Sequence, residues 1–462
     1  MPRLYMDLCG EWANVRASEL GEATVEGLVG KVRKGVGVEQ MAIPDAHEDS
    51  ATLAAMAAVK VIEQAGIDPR DVGSIAVGTE TTVDQSKSIA AYVLGMLERR
   101  FNVELREAGA PQFQFACIGA TYALEAAVNS FRAGEATKPY ALVIATDISK
   151  YPLRTSGEYT QGAGAVAMLV SKNPRLVALD ARVLATITRD ERDFFRPNGL
   201  STAVVDGKYS IDVYLDCIAE AARLYVRRAR EALELENAGI DDIVDDFLFH
   251  IPFPRMAEYA ALRVLGEAWR ADDSRRAALA ATTPLVADPE SGGANRRAFE
   301  KQLAQDPAFA RFFKDRIGPS LSLSRRIGNI YSGSMYLGLA SLLEHAEDRA
   351  KLRGRRVGFF SYGSGASARV FSGVFVDPES YTPHVRALLA PADEGGGRIP
   401  LELAQYERLH GGPAAGDVPL SLVQPAASTV RPRNEFALVR IGTESSPSRT
   451  DVGYRYYDWV AG

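Results

Sequence analysis

The feature that most constrains this chain is a repeated order of elements. Two helix-like segments, "CIGATYALEAAVNSFRAG" from Cys117 and "NIYSGSMYLGLASLLEHAED" from Asn329, each lead into a short apolar run, "YALVIATDIS" (140–149) and "RRVGFFSYGS" (355–364). An unbroken apolar run of this length reads as a strand buried on both faces. Each run is followed by a glycine loop and a second apolar or β-branched segment, "QGAGAVAMLV" and "YGSGASARVFSGVF". A weaker third correspondence joins "VGSIAVGTE" (72–80) to "DFLFHIPF" (246–253), each ending in a polar residue with chemical potential. Strands alternating with helices in two similar series predict a layered α/β architecture of two halves. If the halves pack about a pseudo-twofold axis, their strand ends and helix starts converge. Glu80, Cys117, His250 and Asn329 then become neighbours.

Other architectures and chemistries fall away. The two G-x-G-x-x-A matches, Gly162/Gly164/Ala167 and Gly363/Gly365/Ala368, run into strand-like segments rather than opening helices, so they do not read as dinucleotide fingerprints. The chain has no HExxH, P-loop, EF-hand or GxSxG pattern. Its net charge of −6 is spread in mixed-sign runs such as "RRAREALELE", which implies neither nucleic acid nor an anionic membrane as partner. No uncharged apolar stretch reaches spanning length, and the start "MPRLYMDLCGEW" has no apolar core of a signal peptide. Three scattered cysteines support neither a disulfide framework nor a CxxC metal site, and they fit a reducing cytoplasm.

Three residues stand out. Cys117 is placed at the first turn of a helix, where the dipole and unpaired N–H groups favour thiolate over thiol. Glu80 closes an apolar run, and its partial desolvation raises its pKa toward that of a working acid or base. His250, in "FLFHIPFPRM", is the only histidine at a strand end; His47, His345, His384 and His410 lie in polar or loop-like surroundings. Cys9 and Cys217 read as plain core.

These residues sit in stretches that resemble a known family. "EDSATLAAMAA", "VGTETTVDQSK", "ACIGATYAL", "GEYTQGAGAVAML", "DFFRPNG", "VDGKYSIDVY", "FHIPFPRM", "GNIYSGSMYL" and "FSYGSGA" occur in the order found in 3-hydroxy-3-methylglutaryl-CoA synthases, condensing enzymes of the thiolase superfamily, and the resemblance runs from about residue 5 to the end. It implies a thiolase-like five-layered αβαβα fold of two similar halves, taken here as 1–172 and 173–462, and a homodimer. It implies acetyl-CoA and acetoacetyl-CoA as substrates and no cofactor. Residue by residue, Cys117 resembles the nucleophile that accepts acetyl, Glu80 the general acid/base, and His250 the residue that binds and polarises acetoacetyl-CoA. Tyr151, Asn329, Ser361 and Gly363 fall in segments that line the acyl pocket. Arg255, standing where the family usually has lysine, and Lys208 supply positive charge for substrate binding.

Departures from the family pattern matter as well. Ile118 follows the cysteine where an aromatic residue is usual, with Tyr122 later. Homologues begin with a strand of the type "GIDxIxFYVP", and this chain begins at the equivalent of its closing proline, so a central strand is expected to be missing here: either the true start lies upstream or another segment replaces it. The stretches 271–312 and 386–432 read as peripheral helices and loops. Two alternatives accompany the synthase reading: a polyketide β-branching relative that takes its β-ketoacyl chain from an acyl carrier protein, and a non-catalytic partner subunit of the same fold.

Overall fold

The computed structural model describes residues 1–282, 293–391, 397–411, 427–445 and 450–462. The first half contains helix α1 (Ser50–Ala65), strand β1 (Val72–Gly78), helix α2 (Ile89–Phe101), strand β2 (Gln112–Phe113), helix α3 (Gly119–Ala133), and strands β3 (Tyr140–Ile148) and β4 (Ala163–Val170). The second contains strand β5 (Val177–Thr188), helix α4 (Gly207–Leu233), strand β6 (Asp246–Phe249), helices α5 (Pro254–Ala271) and α6 (Ser334–His345), and strands β7 (Arg356–Gly363) and β8 (Ser367–Phe375). Each half builds a four-stranded sheet, ordered β2-β1-β3-β4 and β6-β7-β8-β5. The repeat predicted from sequence is there in the pairing: β1 with β3 and β6 with β7 are parallel, whereas β3 with β4 and β7 with β8 are antiparallel.

Helices α3 and α6 form the middle layer. Ala120, Ala123 and Leu124 of α3 and Met335, Tyr336 and Leu343 of α6 share one core with Val143 of β3 and Phe359 of β7. The outer faces are covered by α1 and α2 on one side and by α4 and α5 on the other. The result is the five-layered αβαβα arrangement that the family resemblance implies. Small residues let the layers close: a Cβ at Gly78 would lie 2.2 Å from backbone atoms of Ala120, and one at Gly363 would lie 2.7 Å from the Ile118 nitrogen. These two strand ends therefore press directly on the start of α3.

The halves are not identical. β5 pairs with the outer edge of β8, but among the described residues no strand pairs with the outer edge of β4. The first strand of the chain, Leu4–Asp7, instead joins Gln40–Ile43 and Ile399–Pro400 in a separate three-stranded sheet. The stretch 271–312 forms helices Asp273–Thr282 and Gly293–Leu303 and most of Pro307–Arg316, with 283–292 outside the described residues. The stretch 386–432 is less peripheral than expected. Although 392–396 and 412–426 lie outside the described residues, the helix Leu403–Gly411 buries Leu403 and Tyr406 in a core with Trp12 and Met41. Cys217 is fully buried in α4, as expected, whereas Cys9 is half-buried and its N–H donates to Asp7 Oδ1 (2.7 Å), so it is not core.

Candidate active site

Glu80 and Cys117 meet where β1 and the loop before α3 converge. Cys117 Sγ lies 3.8 Å from Glu80 Oε2 and donates toward it. The turn that carries Glu80 is held by Asp147 at the end of β3. One Asp147 oxygen accepts from Thr79 Oγ1 (2.9 Å), Glu80 N (2.9 Å) and Thr81 Oγ1 (2.7 Å). Its other oxygen accepts from Ser332 N (3.0 Å) and from the Ser332 hydroxyl, which belong to the second half. A single buried carboxylate thus locks the Glu80 turn to the opposite half of the molecule.

Electrostatics set the protonation states. Glu80 is 7% exposed, and burial, followed by repulsion from Asp147, pushes its carboxyl up to about 8. Arg196 opposes this: its guanidinium is 3.7 Å from Glu80 Oε1 and donates to the Glu80 carbonyl. The net rise shows that desolvation and the like charge outweigh the cation. Cys117 is half-buried as a residue, but its sulfur packs against the aromatic cluster of Tyr151, Phe194 and Tyr331. Burial, then Glu80 and Asp147, push the thiol well above its ordinary value. This corrects the expectation of a thiolate. The helix begins at Gly119, two residues beyond Cys117, and the N–H of Ile118 is taken by Phe115 O (3.1 Å). The resting pair is a neutral thiol facing a carboxyl that titrates near neutrality.

Aromatic rings pack beside the pair. Tyr151 and Phe194 meet edge-on at 6.3 Å, as do Phe194 and Tyr331 at 5.9 Å. The Tyr151 segment is buttressed from the 386–432 stretch: Gln161 accepts from Tyr151 N (2.6 Å) and donates to Tyr406 Oη (2.8 Å), while His410 Nε2 lies 2.9 Å from Tyr151 O.

His250 follows β6, whose neighbour β7 ends at Gly363 against Ile118. It is 3% exposed, and burial lowers its pKa to about 3, so the imidazole is neutral. Its N–H donates to Phe360 O (2.9 Å), and its Nδ1 is 2.9 Å from Ser334 Oγ. Asn329 is buried, with its Oδ1 accepting from Tyr331 N (2.8 Å), so it shapes the loop that carries Tyr331. Ser361 is buried on β7 and bonded to Thr121 Oγ1 of α3 (2.7 Å). Among the described residues, the remaining two candidates form no hydrogen bond or ion pair with Cys117, Glu80 or His250. Lys208 is exposed at the start of α4, and Arg255, at the start of α5, donates to Lys34 O (2.7 Å) and Glu258.

Sequence reasoning missed Asp147, Arg196, Phe194, Tyr331 and Ser332. Asp147 closes the apolar run "YALVIATDIS", the same signal that singled out Glu80; the others carry no comparable mark.

A two-half, five-layered fold with a cysteine and a glutamate facing each other at the meeting of strand end and helix start defines a condensing enzyme of the thiolase class. Family models described as hydroxymethylglutaryl-coenzyme A synthase N terminal and C terminal match residues 14–174 and 177–389. The chain is 32% identical over 419 residues to the hydroxymethylglutaryl-CoA synthase of Haloferax volcanii, covering 88% of each chain. It is 33% identical over 385 residues to that of Enterococcus faecalis, covering 82% of this chain and 84% of the relative. It also resembles a solved MvaS in complex with 3-hydroxy-3-methylglutaryl coenzyme A, with TM-score 0.80 and 32% identity, covering 99% of this chain and 96% of that one. The chain belongs to the hydroxymethylglutaryl-CoA synthase family, whose members are acyl-transferring condensing enzymes. An HMG synthase of the curacin biosynthetic pathway shares the fold, with TM-score 0.73 at 22% identity.

Proposed function

We propose that this chain condenses acetyl-CoA with acetoacetyl-CoA through an acetyl-Cys117 intermediate and hydrolyses the product to hydroxymethylglutaryl-CoA. The contact between Cys117 Sγ and Glu80 Oε2 at 3.8 Å, within a chain of this family, carries the reading. In the first step the Cys117 sulfur attacks the acetyl thioester, its proton passes to the Glu80 carboxylate, and the departing CoA thiolate takes that proton from Glu80, which returns to the carboxylate. With Glu80 titrating at about 8, about a tenth of it is ionised at pH 7. That fraction supplies the base for the thioester exchange, which is nearly thermoneutral.

The harder step is loss of a methyl proton from acetyl-Cys117. Glu80, as carboxylate, takes that proton, and the enolate carbon attacks the ketone of acetoacetyl-CoA. Amides of the Cys117 loop and of the 363–365 loop stabilise the enolate oxygen. The Ile118 and Gly365 N–H groups are spent on Phe115 O and Asp193 Oδ1, so other amides of the same loops fill this role. The new alkoxide receives the proton held by Glu80, with neutral His250 donating a hydrogen bond to the acceptor. Water then cleaves the enzyme thioester and restores the thiol.

Tyr151, Asn329, Ser361 and Gly363 shape the acyl chamber, while Arg255 and Lys208 suit the phosphates of coenzyme A. The halves are 1–172 and 173–462, the assembly a homodimer, and the compartment the cytoplasm. The last assignment is supported by three cysteines without a disulfide framework, and no helix among the described residues is long and apolar enough to cross a membrane. Acceptors on free CoA are favoured over those on a carrier protein because the CoA synthases match at 32–33% identity and the curacin enzyme at 22%. Assay with acetyl-CoA and either acetoacetyl-CoA or acetoacetyl carrier protein tests this. Hydroxymethylglutaryl-CoA formed from the CoA acceptor is expected; turnover of the carrier-bound acceptor alone refutes it.

A further inference from the structure

Ser334 is the first residue of α6, and its hydroxyl reaches two groups beside it. Ser334 Oγ accepts the Ile251 N–H at 3.2 Å and lies 2.9 Å from His250 Nδ1. Among the described residues no other acceptor is hydrogen-bonded to that hydroxyl, so its own hydrogen has Nδ1 to go to. The residue is held on several sides around this contact. Its backbone is fixed on both sides, by His250 N donating to Phe360 O (2.9 Å) and by Tyr214 Oη donating to His250 O (2.9 Å). Its ring is enclosed edge-on by Tyr214 at 6.1 Å and at a tilt by Tyr362 at 6.3 Å.

We propose that Ser334 is a positioning residue: by donating its hydroxyl proton to Nδ1 it holds His250 in the tautomer that carries hydrogen on Nε2, making the end of the ring away from Ser334 a hydrogen-bond donor. The inference rests on the condensing role given to His250 above, because a donor at Nε2 is what the ketone oxygen of an incoming β-ketoacyl thioester needs as it gains negative charge. The opposite tautomer would present a lone pair to that oxygen and repel it. Burial adds to the need for such a clamp. The ring is neutral at working pH and so, without a partner at Nδ1, is free to carry its one proton on either nitrogen.

The test uses the full-length protein labelled with ¹⁵N-histidine. The five histidines give a spectrum simple enough for long-range ¹H–¹⁵N correlation, with His250 assigned by the peak lost in His250→Asn. The wild type is expected to show a protonated Nε2 and a bare Nδ1. Ser334→Ala is expected to show a second population with hydrogen on Nδ1. Its condensation kcat should fall about 10- to 100-fold while the rate of Cys117 acetylation stays unchanged. Ser334→Thr, which keeps the hydroxyl, should restore the single tautomer and most of the rate. A wild type protonated at Nδ1 overturns the proposal, as does Ser334→Ala with the wild-type tautomer. The nitrogen spectrum needs no turnover, so it decides the clamp even if the assigned reaction is wrong.

Discussion

The two halves of this molecule use one supersecondary plan to opposite electrostatic ends. At the end of β1, Glu80 stands among ionisable groups: Cys117 at 3.8 Å, Arg196 at 3.7 Å and Asp147 holding its backbone. At the end of β6, which pairs with β7 as β1 pairs with β3, His250 stands among Tyr214, Tyr362 and one serine hydroxyl. Burial pushes both toward the neutral form, Glu80 up to about 8 and His250 down to about 3. The consequences differ because a carboxyl near 8 can give and take a proton around neutrality, whereas an imidazole near 3 can only offer or accept a hydrogen bond. The duplicated scaffold supplies position, and the neighbours brought by each half decide whether the group there can exchange a proton around neutrality or only hydrogen-bond.

Substitutions that silence one half at a time put this contrast to the test. The largest effect is expected at Cys117→Ser, with turnover down at least about 10⁴-fold and the acetyl adduct lost, checked by steady-state assay and intact-mass measurement. Glu80→Ala should still permit the adduct but slow condensation about 10²- to 10⁴-fold, read as product formed per adduct in single-turnover mixing. An unchanged condensation rate would remove Glu80 from the mechanism.

His250→Ala falls on the other side of the comparison. It should leave acetylation intact, lower the condensation kcat by at least the about 10- to 100-fold expected of Ser334→Ala, and raise KM for acetoacetyl-CoA, visible when the two substrates are varied separately. The pH profile separates the halves without mutation. In the proposed mechanism the base is the Glu80 carboxylate, whose folded pKa of about 8 lies above the ordinary 4.5, so the group is increasingly protonated and idle below it. Acetylation should therefore rise about tenfold per unit from about pH 6 and level off above about 8. His250, near 3, is neutral throughout that range and should add no second limb. The smallest effect is expected at Gly363→Ala, whose Cβ would crowd the Ile118 nitrogen at 2.7 Å. It should lower stability by about 1–3 kcal/mol in denaturant unfolding.

Much of this could be read before any coordinates. The repeated order of helix, apolar strand and glycine loop survives as β3 and β4 beside α3 and as β7 and β8 beside α6, because period and apolarity are local properties of the chain. Glu80 was visible as a carboxylate at the end of a buried run, and Asp147 bore the same mark. The charge of Cys117 was not legible. It depends on how far the helix start lies from the sulfur and on Tyr151, Phe194 and Tyr331, three rings that packing gathers from remote segments. Arg196 was hidden for the same reason, since nothing in "DFFRPNG" says that its guanidinium reaches Glu80. The support that His410 and Tyr406 give the Tyr151 segment was likewise unreadable in a stretch rich in alanine, proline and glycine.

The central claim is that Cys117 and Glu80 act as one acyl-transfer pair. It is tested most directly by mixing the protein with acetyl-CoA alone at pH about 8, digesting it, and locating the added acetyl mass by tandem mass spectrometry. The account predicts a single adduct on Cys117 that is discharged as hydroxymethylglutaryl-CoA when acetoacetyl-CoA is added. Absence of the adduct, or its appearance on Cys9 or Cys217 in place of Cys117, would contradict it.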